Sequence, residues 1–458
     1  MKKIKPLVLL FALIMCICIA FSACTASLDS TGESDKVTQQ PQAGEQISEA
    51  MRMYREAVAA GYKGTYLEFI EEYLKPAPPT SSDTNIVVTE SGSNAGADIA
   101  ALSAVKIEST YIFGYSGSVV QYPTFATEWG SGVIFSIDRE NWDAYILTNY
   151  HVIYEYSSLG TEKIPHISDD IKVWLFGGEA ESGKLSATFV GGAIDYDVAV
   201  LFIDGSKTVN EAEGGSHTNA SVLQNSDARP VTIGDSDEIS VGDTVFAIGN
   251  PAGAGISATQ GIVSVEAEYI TMYALNSNSR TVDFLEIRID AAVNHGNSGG
   301  GLFNGRGEYI GTVNARSEAD GVRDFGYAIP SNLTVAIARN VIEAHSRGVR
   351  RANLGITPKI LSSRSVFNEK TCKTTTVQSV SIASIAPKGA VAGILQEGDI
   401  LISVSVNGDK KQITREFQLT FLSFNLRAGD TAIFEVLRNG ETVLLEICFK
   451  KSNFLTIY

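Results

Sequence analysis

Between residues 104 and 329 the chain is a succession of short, β-branched apolar runs separated by Gly, Asn and Asp, with almost no helical period. Val133-Ile134-Phe135, Tyr145-Ile146-Leu147-Thr148, Ile171-Lys172-Val173-Trp174-Leu175-Phe176 and Val198-Ala199-Val200-Leu201-Phe202-Ile203 are examples. Thr244-Val245-Phe246-Ala247-Ile248, Gly261-Ile262-Val263-Ser264-Val265 and Tyr309-Ile310-Gly311-Thr312-Val313 continue the series. Runs of this length without a 3.6-residue recurrence are strands. About a dozen of them in ~225 residues can bury their apolar sides only as a barrel or a sandwich. A helix expected over 331–347 closes the region: Ser331 suits its N-cap, Leu333, Ile337, Val341 and Ala344 form a stripe, and Gly348 stops it. A second small domain of mixed strand and helix begins near Leu354, with a helix over 414–425 and strands over 431–437 and 442–449. Those two strands are joined by Arg438-Asn439-Gly440-Glu441, a two-residue hairpin signal.

At 458 residues, 44% apolar and 19% charged, the chain has room for two or three cored domains. Its formal net charge of −16 becomes still more negative without Lys2, Lys3 and Lys5. That balance argues against nucleic acid as a partner and gives no electrostatic reason to lie on anionic lipid. Residues 1–23 read as an export signal, three lysines followed by an apolar run and small residues. Phe21-Ser22-Ala23-Cys24 resembles a lipoprotein cleavage box, which would make Cys24 a lipidated first residue; the alternative is an ordinary signal with an incidental cysteine. Lipid chains would then tether the protein to a membrane without a spanning helix. Residues 24–46 read as a flexible tether, 47–75 as a broken helical segment, and 76–103 as a second linker. Cys372 and Cys448 either pair or stay as two buried thiols.

The chemistry concentrates in three places. Gly296-Asn297-Ser298-Gly299-Gly300 follows a strand-like run, and its glycines let a carbonyl approach the Ser298 hydroxyl. The same turn would aim the Gly296 and Ser298 N–H groups, with Asn297 between them, at one point as an oxyanion hole. Taken alone, most such strings are plain hairpin loops. A serine needs a base beside it to act as a nucleophile. Of five histidines, His166 and His217 fall in polar loops, and His345 near a helix C-terminus. His151 differs in ending a strand, as a fixed general base would. An orienting carboxylate could come from Asp197, which abuts the apolar strand 198–203, with Asp195 as its rival. The order His151, Asp197, Ser298 is that of chymotrypsin, not of subtilisin or the α/β-hydrolases.

With these strings in place the chain resembles the secreted HtrA-type (Deg) serine proteases with a C-terminal PDZ domain. Gly130-Ser131-Gly132-Val133-Ile134, Leu147-Thr148-Asn149-Tyr150-His151-Val152, Asp197-Val198-Ala199-Val200-Leu201 and Ala247-Ile248-Gly249-Asn250-Pro251 match in family order. Asp290-Ala291-Ala292 and Gly326-Tyr327-Ala328-Ile329-Pro330 also match. The resemblance implies a mostly β protein, with a trypsin-like double β-barrel over 104–348 and a small α+β PDZ domain over 349–452. It implies His151 as base, Asp197 as its orienter, Ser298 as nucleophile, and a floor for the specificity pocket at Ala292, where no carboxylate would hold a basic side chain. Leu354-Gly355-Ile356 resembles a PDZ carboxylate-binding loop, which takes peptide C-termini by strand addition. The segment 361–380 is longer and more polar than the family pattern, Tyr150 and His295 depart from it, and Gly301 stands where proline is common.

The expectation is an ATP-independent endopeptidase, lipid-anchored outside the cytoplasmic membrane, that cuts unfolded or exposed polypeptide and needs neither metal nor cofactor. A homotrimer is expected by resemblance alone. Two rivals stay open: a catalytically silent peptide-binding or holdase protein, and a processing protease dedicated to one envelope partner.

Overall fold

The computed structural model describes Lys63 and residues 95–458, apart from 117–121, 158–163, 169, 179, 212–214, 278 and 315–324. The chain divides into two units, Met1–Thr84 and Asn85–Tyr458. Of the first, only Lys63 is described, and it is exposed. The export signal, Cys24, the tether, and the helical segment apart from Lys63 lie outside the described residues. None of the described helices is long and apolar enough to cross a membrane.

The second unit opens with helix α1 (Ala95–Ala101), where the sequence reads as linker. Its buried side is built from Ala97, Ala100 and Ala101, and Gly96 lies so close to 305–307 that a Cβ would stand 2.7 Å from the Gly305 carbonyl oxygen. An apolar stripe made of alanines carries little hydropathy contrast, which hides the helix in a polar stretch.

Six strands then close a barrel: β1 (Ala104–Ser116), β2 (Tyr122–Asp138), β3 (Asp143–Thr148), β4 (Asp170–Leu175), β5 (Leu185–Ala193) and β6 (Val198–Ile203), in the order β1-β2-β3-β6-β5-β4. Alternation decides which way each side chain points. In β6, Ala199, Leu201 and Ile203 fill the barrel, while Val198 and Val200 face outward into a second apolar cluster. Both sides are buried, so the strand is apolar throughout. The following strands are β7 (Thr232–Ile233), β8 (Thr244–Gly249), β9 (Ser257–Tyr273), β10 (Thr281–Ile289), β11 (Gly301–Asn304), β12 (Glu308–Val313) and β13 (Gly326–Pro330). They run β7-β12-β11-β8-β9-β10-β13, and pairing of β12 with β13 closes six of them into a second barrel. Again the strands split by parity: Val245 and Ala247 of β8 enter this barrel, whereas Phe246 and Ile248 face the cluster shared with the first.

Helix α2 (Ser331–Ala344) packs Leu333, Ile337 and Val341 on that shared cluster. It is shorter than expected, because His345 rather than Gly348 takes the left-handed position that ends it, at φ 46°. Ser331 does not cap it; its hydroxyl donates to the Gly234 carbonyl at 2.8 Å. The C-terminal part comprises β14 (Val349–Ala352), β15 (Ile356–Asn368), β16 (Lys373–Ile385), β17 (Ile400–Val406), β18 (Asp409–Gln412), α3 (Gln418–Asn425), β19 (Thr431–Arg438), β20 (Glu441–Cys448) and β21 (Phe454–Ile457). Its sheet runs β15-β16-β17-β19-β20 with β18 on β17, around a core that includes Leu401, Phe434 and Phe449. The expected Asn-Gly turn is present, with Asn439 at φ 51° and Gly440 at φ 86°. Pairing of β14 with β21 carries this part past residue 452, where the sequence placed its end. The long polar segment is the β15–β16 hairpin, whose Lys373 ammonium meets Asp243 of the second barrel at 2.7 Å. Cys372 and Cys448 are free and exposed.

Gly301 has a structural reason. A Cβ there would press into the ring of fully buried Phe303 and stand 2.9 Å from a Val133 methyl. Gly301→Pro is therefore expected to destabilise the protein by about 1–3 kcal/mol, as overpacking does. The change should appear as a lower denaturant midpoint at unchanged slope; an unmoved midpoint would show that Phe303 can turn aside.

Candidate active site

Asp197 sits between the short turn Ile194–Tyr196 and β6, in a left-handed conformation (φ 53°, ψ 40°) that aspartate tolerates better than most residues. It is completely buried. Its Oδ1 accepts the His151 backbone N–H at 2.9 Å and its Oδ2 meets His151 Nδ1 at 2.7 Å. A carboxylate accepts, so Nδ1 is assigned the proton and Nε2 is left with its lone pair. The Asp197 carbonyl also accepts from Tyr150 N–H (3.1 Å) and from the Asn149 amide (2.9 Å). His151 is thus held through its backbone and its ring by one residue. Asp195 goes elsewhere: it forms a two-pronged, half-exposed pair with Arg280 at 2.6 and 3.0 Å. Of the two candidate carboxylates, only Asp197 reaches the imidazole.

Ser298 lies in a turn set by Gly296 (φ 96°) and Gly299 (φ 83°). At Gly296 a side chain would collide with the Asn250 carbonyl, so this turn needs glycine for both conformation and space. Among the described residues the Gly296 and Ser298 N–H groups have no partner, as an oxyanion site requires. Asn297 departs from expectation. Its N–H closes the turn onto the Asn294 carbonyl at 3.0 Å and its side chain is buried, so it is no free donor. No hydrogen bond joins Ser298 Oγ to His151 among the described residues; such contacts often close only when substrate is bound.

Two residues that carried no assigned role hold the halves together. Asn149, fully buried, donates to the Asp197 carbonyl and accepts Gly299 N–H at 2.7 Å. One amide therefore spans the loops of Asp197 and Ser298. Ser131 donates its hydroxyl to the Gly296 carbonyl (2.6 Å), accepts Asn250 N–H (2.7 Å), and gives its own N–H to the Ser298 carbonyl (2.8 Å). Asn149, just past β3, and Ser131, within β2, are both fully buried polar residues and so each needs a specific partner, but the sequence does not say which.

His151 and Ser298 line one cavity of about 410 Å³, with Glu128, Trp129, Tyr154 and Glu155 among its walls. Burial pushes the Glu155 carboxyl up, and the charge of Glu128 adds to that. Exposed His295 also lines it, and its carbonyl accepts Ala252 N–H at 2.8 Å. Ala292 does not line it. It is exposed, with its carbonyl accepting the Thr259 hydroxyl at 2.8 Å. His217 is held by Glu211 and the Lys184 carbonyl, His345 by the Ile342 carbonyl, and His166 lies in the short strand Ile164–Ile167. In the C-terminal part, Leu354, Gly355 and Ile356 line a separate cavity of about 330 Å³ with Leu419 and Thr420 of α3. Gly355 is left-handed (φ 77°), and its N–H has no partner among the described residues. A larger cavity of about 840 Å³, between the β15–β16 hairpin and the second barrel, contains neither His151 nor Ser298.

A histidine fixed by a buried carboxylate, facing the cavity of a serine with two free amides, is the arrangement of an acyl-transferring serine hydrolase. Residues 130–311 match the family model described as a trypsin-like peptidase domain. The serine protease Do-like HtrA of Lactococcus lactis subsp. lactis is 32% identical over 70% of this chain and 71% of its own. The serine protease Do-like HtrB of Bacillus subtilis is 31% identical over 70% of this chain and 62% of its own length. The periplasmic pH-dependent serine endoprotease DegQ of Escherichia coli is 30% identical over 70% of this chain and 59% of its own. The chain belongs to the HtrA-type serine protease family.

Asn149→Ala removes both bonds of the bridging amide. Small displacements of reacting groups cost up to ~100-fold, so kcat is expected to fall about 10- to 100-fold with KM nearly unchanged. Asn149→Asp restores an acceptor for Gly299 N–H but no donor for Asp197, and should not recover the rate. Equal losses in kcat and folding stability across both variants, with no kinetic split, would reduce Asn149 to a structural part.

Proposed function

We propose that the chain is an ATP-independent serine endopeptidase acting outside the cytoplasmic membrane on unfolded or exposed polypeptide. One observation carries the reading: His151, held by buried Asp197, and Ser298 line a single cavity beside two amides that have no partner among the described residues. In the proposed sequence Ser298 Oγ attacks the scissile carbonyl as its proton passes to His151 Nε2. Asp197 stabilises the imidazolium through the Nδ1–H bond. The Gly296 and Ser298 N–H groups take the oxyanion. His151 then returns the proton to the leaving amine, and a water, activated in the same way, releases the acyl chain from Ser298. An alanine rather than a carboxylate at position 292 suits a small aliphatic residue before the scissile bond.

The C-terminal part is proposed to be a PDZ domain that takes peptide C-termini between the free edge of β15 and α3, with the carboxylate on the Leu354-Gly355-Ile356 loop. Supporting this are the left-handed Gly355, its unpartnered N–H, and the cavity that reaches α3. Lipidation at Cys24, and through it a tether on the envelope, stays the reading of residues 1–24; the word periplasmic in the name of DegQ agrees with an extracytoplasmic site. A role in protein quality control and a homotrimer are proposed by family likeness.

β-Casein should be cut by the protein and not by Ser298→Ala, while Asp197→Asn should lower kcat on the order of 10⁴-fold by admitting the wrong imidazole tautomer. Activity surviving in Ser298→Ala would move the nucleophile elsewhere. Silence of all three, persisting when a C-terminal peptide is added, would favour the holdase rival. For the groove, an apolar peptide with a free carboxyl end should bind and its amidated twin should not; equal binding would place recognition away from Gly355.

A further inference from the structure

We propose that the cavity beside His151 receives the residues that follow the scissile bond, and that Glu128 and Glu155 make it selective for lysine or arginine there. The inference rests on the proteolytic reading above and specifies its substrates.

Placement comes first. The leaving amine must take its proton from His151, so the chain that departs with it runs out past the imidazole. The walls on that side are Val152, Tyr154 and Glu155, which follow His151 in sequence, and Glu128 and Trp129 of β2. Strand β2 is bound to the nucleophile loop through Ser131 N–H and the Ser298 carbonyl, so Trp129 and Glu128 lie only two and three residues from that bond. Gly130 has no room for a side chain because Val152 fills the space, which brings the two walls together. Ala292, expected beneath the residue before the scissile bond, is absent from this cavity.

Charge comes second. The backbones of Glu128 and Glu155 belong to strand ladders, but neither carboxylate has a hydrogen bond or ion pair among the described residues, and no described lysine or arginine lines the cavity. Lys106, a cation that touches Trp129, is buried, its ammonium 4.4 Å from the Trp129 ring centroid and 5.0 Å from that of Trp174. It is held by the two indoles and does not line the cavity. Both line the same cavity, Glu155 half-buried and Glu128 exposed, and the Glu128 charge adds to the burial that pushes the Glu155 carboxyl up. An arriving ammonium or guanidinium offsets both charges, and the Trp129 edge and Tyr154 cover its aliphatic stem.

The test uses the full chain and quenched-fluorescent peptides identical up to one scissile bond after valine. The peptides differ only in the next two residues: Ala-Ala, Lys-Ala, Ala-Lys or Glu-Ala, with the cut position read by mass spectrometry. A lysine peptide should exceed Ala-Ala in kcat/KM by about threefold per glutamate engaged, approaching tenfold for both, as part-exposed pairs do. The ratio should shrink in high salt, approach one in the Glu128→Gln/Glu155→Gln double variant, and invert in favour of Glu-Ala in Glu155→Lys. Equal rates for all four peptides, or a lysine preference untouched by the double variant, would overturn the proposal and leave the proteolytic reading standing. If no peptide is cut and Ser298→Ala behaves as the parent, the proteolytic reading fails and this one falls with it.

Discussion

The constraint on which the site depends is one buried negative charge. Asp197 has no solvent contact, and a carboxylate in that position is stable only if both oxygens are satisfied by groups that cannot wander. Both are satisfied by a single residue, through the His151 backbone N–H and its ring nitrogen. The same contacts therefore solve a folding problem and orient an imidazole. Truncating His151 leaves a buried carboxylate oxygen of Asp197 unmatched, so the pair is more tightly specified than an exposed ion pair such as Asp195–Arg280.

Holding that pair opposite Ser298 is the work of the packing between barrels. The parity split in β6 and β8 creates two lumens and a third cluster between them, so each barrel is apolar on part of its outer surface and must be covered there. Phe303, Tyr309 and α2 supply that cover, and so do Phe417, Phe421 and Phe424 from around α3. The ring of Phe424 meets Tyr196 edge-on at 5.0 Å, one residue before Asp197. Helix α3 consequently has two duties: one side lines the cavity beside Gly355, and the other completes the core beneath the aspartate loop. Asn149 and Ser131 finish the alignment with directed hydrogen bonds, which packing alone does not provide.

What could be read from the sequence follows the same division. The strands were legible because β-branched runs and Gly, Asn and Asp breaks are local signals, and so was the Asn439-Gly440 turn. Asp197 was preferred over Asp195 because it abuts an apolar strand, and burial does follow from that neighbour. Helix α1 was hidden because alanines give little contrast between its sides. The early end of α2 at His345 was missed because a left-handed non-glycine cap has only a weak signature. The engaged N–H of Asn297, and the bridges made by Asn149 and Ser131, depend on turn geometry or on contacts from 48 positions apart up to the 167 between Ser131 and Ser298 (298 − 131), which no local pattern encodes. The reach of Lys373 to Asp243 across 130 positions belongs with them.

The carboxylates around the cleft show how one functional group acquires different roles from its surroundings. Asp197 is buried and doubly paired, so it can hold a tautomer and stabilise a charge that forms during reaction. Asp195, two residues away, is half-exposed and paired with Arg280, so it ties Arg280 to the aspartate loop and does not line the cavity. Glu128 and Glu155 are not buried enough to demand a partner, and their carboxylates have none among the described residues, so their field extends into the cavity they line. A chain of net charge −16 has acidic side chains to spare, and most are screened on the surface. These two differ because Trp129, with Lys106 against its ring, and the strand Tyr154–Ser157 set them on walls of one cavity, where half-buried Glu155 feels the Glu128 charge.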